Sequence, residues 1–437
     1  MFPGGTHPHE GVNGKAVNSG NAIRELPAPA RVVIPLSQHI GAPCKPIVQK
    51  GDLVLAGQKI GEAGGFVSAP VHSSVSGKVV GIEPVELANG STVSAVVIEN
   101  DFQNNWVELH PAEHPETLTA QELQTIVREA GIVGMGGAAF PTNVKLDTSK
   151  LEEKPDTLIV NGSECEPYLT SDHRIMVENA EQIVDGIVLA MKASGVSCAK
   201  VGIEDNKPDA IAAMREAASD KQNVEVVSLP ARYPQGFEKT LIYSLTGRIV
   251  PNGKLPSAAK CVVMNVGTCA ALSAAVRKGQ PLIDRVVTVT GRVAKPTNFR
   301  VRIGTPLLDL IDQVGGLTDG VRKLIVGGAM MGNAVSTLNL PITKNFGGFL
   351  ALGEEAISAQ ESACIRCGRC MRACPMKLAP AKIDSLVRHG NYDGAIAAGA
   401  MNCMECGSCT YACPAKRELT QSCRVAKAIA RTKAKKS

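Results

Sequence analysis

The pattern of hydrophobic and polar positions changes several times along the chain and divides it into segments of different expected structure. Between residues 26 and 100, short Val/Ile-rich stretches at 31–35, 75–82 and 93–99 are separated by Gly and Pro at close spacing. This pattern is typical of short strands joined by tight turns. It predicts an all-β unit, followed by a polar, proline-punctuated linker at 101–115.

From Thr119 onward the hydrophobic period becomes helical. Leu123, Ile126 and Val127 share one helix face, and Thr119 with Glu122 forms a capping-box signature at its start. Strand-like stretches at 157–161 and 200–203 then alternate with helical stretches at 183–191 and 211–218. Such alternation predicts an α/β domain with a parallel sheet.

The last third of the chain contains two further units. A strand at 286–293, a short helix at 306–314 and two Gly-Gly turns predict a small β-grasp-like unit within residues 286–352. Beyond it, apolar spacing predicts short helices around 383–387 and 392–398. The C-terminal part is therefore expected to be helical.

The all-β segment resembles the biotinyl/lipoyl-type barrel-sandwich module. Carrier members of that family present a lysine at the tip of a hairpin, whereas the corresponding stretch here, residues 62–68, contains none. We therefore interpret the module as structural or docking. The role of a swinging arm is not expected.

Two copies of one cysteine motif are the strongest chemical signal in the sequence. Both read Cys-x2-Cys-x2-Cys-x3-Cys-Pro, a spacing in which three thiolates bind one cubane cluster and the fourth cysteine binds the other cluster. The motifs predict two 4Fe–4S clusters with crossed ligation. The expected ligands are Cys364, Cys367, Cys370 and Cys413 for the first cluster, and Cys403, Cys406, Cys409 and Cys374 for the second.

Zinc sites or disulfide bonds explain these cysteines less well. Zinc knuckles usually use two widely separated cysteine pairs, not a run of four that ends in proline. Disulfides need an oxidising compartment, and the first residues lack the basic and apolar regions of a secretory signal peptide. We therefore expect a reduced, cytoplasmic setting and a chain that carries electrons.

Composition limits the expected partners. Aromatic residues make up 3% of the chain, without the basic–aromatic interleaving that stacks on nucleic acid, so no nucleic-acid partner is expected. The formal net charge is +5, and from Lys416 onward eight Lys/Arg residues accompany one Glu. We expect a solvated basic tail, dispensable for the clusters, that touches an anionic membrane or an acidic partner. No stretch has the 18 apolar residues of a membrane span, so membrane association is expected to be peripheral.

A glycine-rich turn at residues 131–145 is the second chemical signal. Glycines let a backbone approach a planar ring or a phosphate closely and leave N–H groups free to point at it. No predicted strand immediately precedes the turn, so it does not match the dinucleotide-binding fingerprint. By itself the turn leaves nucleotide binding open.

Four segments together resemble the NADH-oxidising flavoprotein subunit of respiratory complex I: the glycine turn and residues 161–167, 233–238 and 265–268. In that family these segments hold FMN and admit NADH. The resemblance implies cofactor contacts at Gly134, Gly136, Gly137, Phe140, Lys145, Asn161, Glu164, Tyr233, Gly236, Glu238, Asn265 and Thr268. It also implies that Glu166 faces the nicotinamide, which makes Glu166 the predicted catalytic residue. Ser163 and Met264 stand where that family has an aspartate and an asparagine.

The order of these parts, together with Gly4-Gly5-x-His7-Pro8 near the start, resembles the RnfC family of the Rnf complex, the membrane-bound ferredoxin–NAD oxidoreductase. The resemblance implies hydride exchange between NAD(H) and FMN, and a one-electron relay through the two clusters. The expected partners are a ferredoxin-like iron–sulfur subunit and integral membrane subunits, with ferredoxin as an indirect partner. The complex would translocate Na+ or H+, and this chain would lie on the cytoplasmic face of the cell membrane.

Two other functions stay open at this point. Corrinoid reductases of bacterial microcompartments share the flavin, β-grasp and cluster parts, but they begin directly at the glycine turn. An adaptor would only relay electrons through its clusters, with nicotinamide bound elsewhere in the complex.

The expected fold class is multidomain α/β plus β. The predicted domains are an N-terminal extension (1–25), a barrel-sandwich hybrid with its linker (26–115), an α/β FMN- and NADH-binding domain (116–283), a β-grasp, SLBB-like domain (284–352) and a helical two-cluster ferredoxin domain with the basic tail (353–437).

Overall fold

The computed structural model describes residues 2–9, 14–357 and 360–434. The first strand, β1 (Arg24–Glu25), does not pair within the neighbouring β unit. It pairs in parallel with a strand near residue 300, where Arg24 lies opposite Phe299. The N-terminal segment is therefore attached to a domain that lies far away in the sequence.

The all-β unit predicted at 26–100 is present as two antiparallel sheets. One has the order β2-β8-β7-β4 and the other β3-β5-β6, and their valines and isoleucines pack into a shared core. The strands are β2 (Arg31–Pro35), β3 (Lys45–Pro46), β4 (Leu53–Val54), β5 (Lys59–Glu62), β6 (Val71–His72), β7 (Gly77–Glu86) and β8 (Thr92–Asn100).

The segment predicted as a linker follows the surface of two domains. Trp106 forms a bridge with Ala56 of the β unit, and the Ala112 amide donates to the Val276 carbonyl of the α/β domain at 2.9 Å. Residues 101–115 thus fix these two domains against each other.

The α/β domain has a four-stranded parallel sheet between helices. Its first helix begins with the predicted capping box, since Thr119 accepts from the Glu122 amide and Glu122 accepts from the Thr119 amide. The elements are α1 (Ala120–Glu129), α2 (Thr142–Leu146), β9 (Thr157–Asn161), α3 (Ser171–Glu178), α4 (Ala180–Ser194), β10 (Cys198–Glu204), α5 (Pro208–Ala217), β11 (Val224–Leu229), α6 (Glu238–Thr246), β12 (Cys261–Asn265) and α7 (Val266–Lys278).

The β-grasp-like unit is a mixed sheet with one helix. Its strand order is β1-β14-β13-β17-β15-β16, so the N-terminal strand forms one edge. The elements are β13 (Asp284–Gly291), β14 (Thr297–Arg302), α8 (Leu307–Gln313), β15 (Lys323–Val326), β16 (Asn333–Val335) and β17 (Gly348–Leu352).

The cysteine-rich part is helical, as the sequence predicted. Its helices are α9 (Arg369–Ala373), α10 (Pro380–Arg388), α11 (Tyr392–Ala397), α12 (Ser408–Tyr411) and α13 (Leu419–Ala434). Short 3-10 turns at Lys15–Val17, Pro256–Ala259, Glu354–Ala356 and Ala400–Asn402 complete the described elements. No described helix is both long enough and apolar enough to cross a membrane.

The expectation of a solvated basic tail that the clusters can do without is wrong for most of its length. Leu419, Cys423 and Ala426 of α13 are each no more than 1% exposed and pack in the core of the cysteine-rich domain. The Ser422 hydroxyl also donates to the buried Asp384 of α10 at 2.6 Å. Lys435 and Lys436 lie outside the described residues. Sequence charge alone missed that the apolar face of this helix is needed to close the domain.

Candidate functional site

The centre of the candidate site is the edge where β9 and β12 end. From β9 the chain adds β10 and β11 on one side and later places β12 on the other side. In a parallel sheet a crevice forms at such a reversal, outside the carboxyl ends of the strands, and ligands bind there. Asn161 and Asn265 are the last residues of β9 and β12 and lie in register across the reversal. Both predicted contacts are thus at the switch point.

The glycine turn closes over this edge. The Met135 amide donates to the Thr268 hydroxyl at 3.0 Å, and a Cβ added to Gly136 would lie 2.9 Å from the Asn265 amide nitrogen. A Cβ on Gly137 would meet no atom within 4 Å, and the Gly136 and Gly137 backbones are exposed. An open glycine surface beside strand-end amides suits the close approach of a planar ring, so these residues fit FMN.

The turn after β11 lies against the opposite side of the same edge. Asn161 donates its side-chain N–H to the Gly236 carbonyl at 2.7 Å and accepts from the Ser163 amide at 3.1 Å. A Cβ on Gly236 would lie 3.2 Å from the Asn161 side-chain oxygen. Glycine at 236 therefore permits the close packing that holds this turn at the crevice.

Lys145 and Glu238 form the charged pair of the site. The Lys145 ammonium donates to the Val263 carbonyl at 2.9 Å and lies 3.9 Å from the Glu238 carboxylate. Burial lowers the pKa of Lys145, which Glu238 partly offsets, and burial raises the pKa of Glu238. Phe140 is half-buried at the end of the glycine turn, and its carbonyl accepts from the Gly134 amide at 2.9 Å.

The structure gives the Glu164 carboxylate a partner that sequence reasoning did not foresee. It accepts from the Asp172 amide at 2.7 Å and from the His173 amide at 3.1 Å, and so caps the first turn of α3. The cofactor contact expected from Glu164 stays a prediction.

Asp172 is a site residue that the sequence interpretation missed. Its carboxylate accepts from the Asn265 side chain at 2.6 Å. Burial and the nearby Glu164 charge raise the pKa of Asp172 to about 7. Because its partners come from separate segments, no local motif marked it.

Glu166 lies where three domains meet. Its carboxylate accepts from the Met330 amide of the β-grasp unit at 2.9 Å and is 3.3 Å from the Tyr233 hydroxyl. Tyr233 in turn donates to the Cys406 carbonyl in the second cysteine motif at 2.7 Å. Burial raises the pKa of Glu166. The predicted catalytic carboxylate is therefore one residue away from the backbone of a predicted cluster ligand.

The N-terminal segment fastens this meeting point. The Gly5 amide donates to the Ala373 carbonyl at 2.9 Å, and Thr6 pairs with Tyr233. The Lys15 ammonium donates to the backbone carbonyls of Glu164, Glu166 and Leu169 at 2.6–2.8 Å. Lys15 is a second residue that sequence reasoning missed, because its partners lie about 150 positions away.

The predicted ligands of the second cluster come together. Cys374, Cys403, Cys406 and Cys409 line one cavity, although Cys374 belongs to the first motif. Cys370 and Cys413 pack in one buried group with Cys409. Four sulfurs around one cavity fit a cubane, and the contribution of Cys374 agrees with crossed ligation, which stays a prediction.

The two motifs differ in exposure. Cys364 and Cys367 are exposed, whereas Cys406 and Cys409 are each 7% exposed. All the cysteines of the chain are free of disulfide bonds.

The two departures from the complex I pattern point away from the crevice. Ser163 is fully buried, with its hydroxyl 3.4 Å from the Gly202 carbonyl. Met264 is 3% exposed and packs in the main core of the α/β domain. The residues next to them in sequence, not these two side chains, form the crevice.

Models of four protein families match the chain in the order of its structural units. They are the RnfC barrel sandwich hybrid domain at residues 1–103, the Nuo51 FMN-binding domain at 127–274, the SLBB domain at 286–334 and the 4Fe-4S dicluster domain at 356–414. The fold class and the types of cofactor predicted from the sequence are thereby confirmed.

A solved structure shares the fold. The NAD+-reducing NiFe-hydrogenase in its H2-reduced state matches with a TM-score of 0.51 and 18% identity, over 72% of this chain and 65% of that chain. At this identity the match supports the fold alone.

Curated relatives match over most of their length. The chain is 48% identical to the RnfC-type component of the proton-translocating ferredoxin:NAD(+) oxidoreductase complex of Clostridium ljungdahlii, over 90% of this chain and 86% of the relative. It is 46% identical to the corresponding component of the Na(+)-translocating complex of Acetobacterium woodii, over 98% of this chain and 96% of the relative. This chain therefore belongs to the RnfC family, the C subunits of ion-translocating ferredoxin:NAD(+) oxidoreductase complexes.

Proposed function

We propose that this chain is the NAD(H)-binding electron-transfer subunit of a membrane-bound ferredoxin:NAD oxidoreductase that moves Na+ or H+. The observation that carries the proposal is the switch point itself. Asn161 and Asn265 end adjacent strands in register, and the exposed glycine turn lies over them. A second redox centre is attached directly to this crevice through Tyr233 and Cys406.

The residues of the crevice would hold FMN and admit NAD(H). The backbone of Gly136 and Gly137 offers an unobstructed surface for the ring, while Asn161 and Asn265 present side-chain amides at the strand ends. Lys145 supplies a positive charge within the crevice. FMN, when bound, exchanges an electron pair with NAD(H) and single electrons with iron–sulfur centres, a conversion that the protein itself cannot perform.

The placement of the motifs supports an order for the two clusters. The second cluster would be the one nearer the flavin, because its motif contacts Tyr233 and lies next to Glu166. The first cluster would face a partner, because Cys364 and Cys367 are exposed. The exposed side chains around them are Ile365, Arg366, Arg369, Met371 and Arg372. Apolar and cationic groups around an exposed centre suit an acidic redox partner.

The partners proposed for the chain follow from this arrangement. They are a ferredoxin-like iron–sulfur subunit, which receives or supplies electrons at the first cluster, and the integral membrane subunits of the complex. Ferredoxin itself would be an indirect partner. The chain would lie peripherally on the cytoplasmic face of the membrane, where NAD(H) and ferredoxin are found.

Leucine substitutions at two neighbouring glycines test the flavin site. Gly136→Leu places a side chain against Asn265 even without a ligand, whereas Gly137→Leu points into open space. If FMN occupies that space, both variants should lose FMN and NADH-dependent reduction while they keep about eight iron atoms per chain, from two four-iron clusters. Gly20→Leu, also in open space but in the N-terminal segment, is the control and should keep FMN.

Full FMN content in Gly137→Leu would show that the flavin does not lie over this turn. If the same variant also kept NADH-dependent reduction of the clusters, the site would be elsewhere in the chain. Intact clusters with neither FMN binding nor NADH oxidation in the reconstituted wild-type protein would favour the adaptor role.

A further inference from the structure

Helix α13 presents two side chains to the cysteines of the second cluster. Thr420 and Cys423 are three residues apart, so they lie on the same face of the helix. They are 7% and 1% exposed, and both line the cavity formed by the second set of cysteine ligands. Neither residue belongs to a cysteine motif.

The hydrogen bonds around Thr420 determine which atom is the donor. The Thr410 hydroxyl accepts from the Thr420 backbone N–H at 3.0 Å and donates to the Thr420 hydroxyl oxygen at 3.0 Å. The Thr420 hydroxyl proton is therefore free to point elsewhere, and the Cys409 sulfur lies 3.5 Å away. Because a hydroxyl carries one proton, Thr420 is the donor and a cluster-bound Cys409 thiolate is the acceptor.

Cys423 adds a fifth cysteine to a cavity that needs four. Its thiol is hydrogen-bonded to the sulfur of Cys403. A four-iron cubane takes one cysteine per iron, and Cys374, Cys403, Cys406 and Cys409 already supply these ligands. Cys423 therefore has no iron to bind, and its S–H can donate to the Cys403 thiolate.

We propose that α13 tunes the second cluster by donating hydrogen bonds from Thr420 and Cys423 to the thiolates of Cys409 and Cys403. Reduction adds negative charge to a cluster, and donors to its sulfurs stabilise that charge, which raises the reduction potential. The proposal rests on the proposed function only for its consequence, namely that the cluster nearer the flavin becomes the better electron acceptor. The tuning itself requires the cluster and α13 alone.

The test uses the full chain with both clusters and varies one donor at a time. Thr420→Val keeps the side-chain shape and removes the hydroxyl, whereas Cys423→Ala removes the thiol and Cys423→Ser keeps a donor. Thr432→Val, an exposed position near the end of the same helix, is the matched control. Mediated redox titration followed by electron paramagnetic resonance measures the midpoint potential of each cluster, and iron analysis measures occupancy.

We expect the midpoint potential of the second cluster to shift downward in Thr420→Val and in Cys423→Ala, and further in the double variant. The first cluster and Thr432→Val should not shift, and Cys423→Ser should retain part of the wild-type potential. Iron content should stay at about eight per chain.

Unchanged potentials in both single variants would overturn the proposal. Loss of half the iron in Cys423→Ser as well as Cys423→Ala would also overturn it, because Cys423 would then be a ligand. The titration uses chemical mediators and no NADH, so a failure of the proposed NAD(H) function would leave its outcome unaffected.

Discussion

The two cysteine motifs repeat one spacing, yet they meet different surroundings. The second motif is held by side chains and backbone from other parts of the chain: Tyr233 bonds to Cys406, and α13 covers Cys403 and Cys409. In the first motif, Cys364 and Cys367 are exposed. Identical ligand spacing thus occurs once inside the protein and once at its surface.

This difference teaches that the motif specifies the cluster, while the rest of the chain specifies its task. A buried centre bonded to the flavin domain is suited to internal transfer. An exposed centre with arginines beside it is suited to exchange with a partner. The duplication supplies two similar wires, and asymmetric packing gives each of them one end of the path.

Removing α13 should break the comparison most severely. Deletion of residues 419–437 takes away Leu419, Cys423 and Ala426 from the core, together with the Ser422 bond to buried Asp384. Burial of side chains of this size contributes on the order of 1 kcal/mol or more each, so the cysteine-rich domain should lose the second cluster. Iron analysis should give about four atoms per chain or fewer.

A shorter truncation is the control for this deletion. Ending the chain after Ala430 removes an exposed last turn and most of the final positive charges, and it should leave both clusters in place. Full iron content in the long deletion would show that α13 is only a basic appendage.

Single cysteine substitutions should sharpen the comparison by removing one centre at a time. Cys374→Ala should eliminate the buried second cluster, because Cys374 lines its cavity, and Cys413→Ala should eliminate the exposed first cluster. Each variant should keep about four iron atoms, and electron paramagnetic resonance identifies the survivor. Loss of the exposed cluster in Cys374→Ala would show that ligation follows sequence order instead of crossing.

Gly4 tests how firmly the flavin side is fastened to the second motif. It has a φ of +72°, and a Cβ there would lie 2.7 Å from the Cys374 carbonyl carbon. Gly4→Ala should therefore cost about 1–3 kcal/mol in local strain and loosen the contact between the N-terminal segment and the cluster domain. Electron transfer from the flavin to the clusters should slow, while NADH-dependent reduction of ferricyanide by the flavin persists.

Gly20→Ala is the matched control for Gly4→Ala, because a Cβ there meets nothing within 4 Å and its φ is not in the left-handed region. Stopped-flow spectroscopy should find wild-type transfer in this variant. Equal rates in the two variants would mean that the N-terminal segment does not position the second cluster.

Much of the fold was predictable because its signals are local. The strand ending at Asn161, the capping box at Thr119 and the cysteine spacings depend on neighbours in sequence, and each is present in the structure. The contacts of Lys15 and Asp172 were not predictable, because their partners come from distant segments. A single sequence carries no signal that pairs them.

The error at α13 has a different physical origin. Its positive charge was obvious, but charge occupies one face of a helix and says nothing about the other. Leu419, Cys423 and Ala426 recur at helical spacing on that other face, the pattern that indicates burial. Weighing the apolar period before the charge would have placed this helix in the core.

Glu166→Gln should have the smallest effect, and it tests the link between the crevice and the second motif. Burial raises the pKa of Glu166, so its charge is present above that raised pKa and is lost as the pH falls through it. Glutamine resembles the protonated form: it can accept from the Met330 amide and donate to the Tyr233 oxygen, while Tyr233 donates to Cys406. FMN and iron should therefore be retained and NADH oxidation should slow. In the wild type the rate should fall as the pH is lowered through the raised pKa, whereas the variant should lack this dependence. Steady-state rates across the pH range measure both effects, and a variant with the wild-type profile would assign the pH dependence to another group.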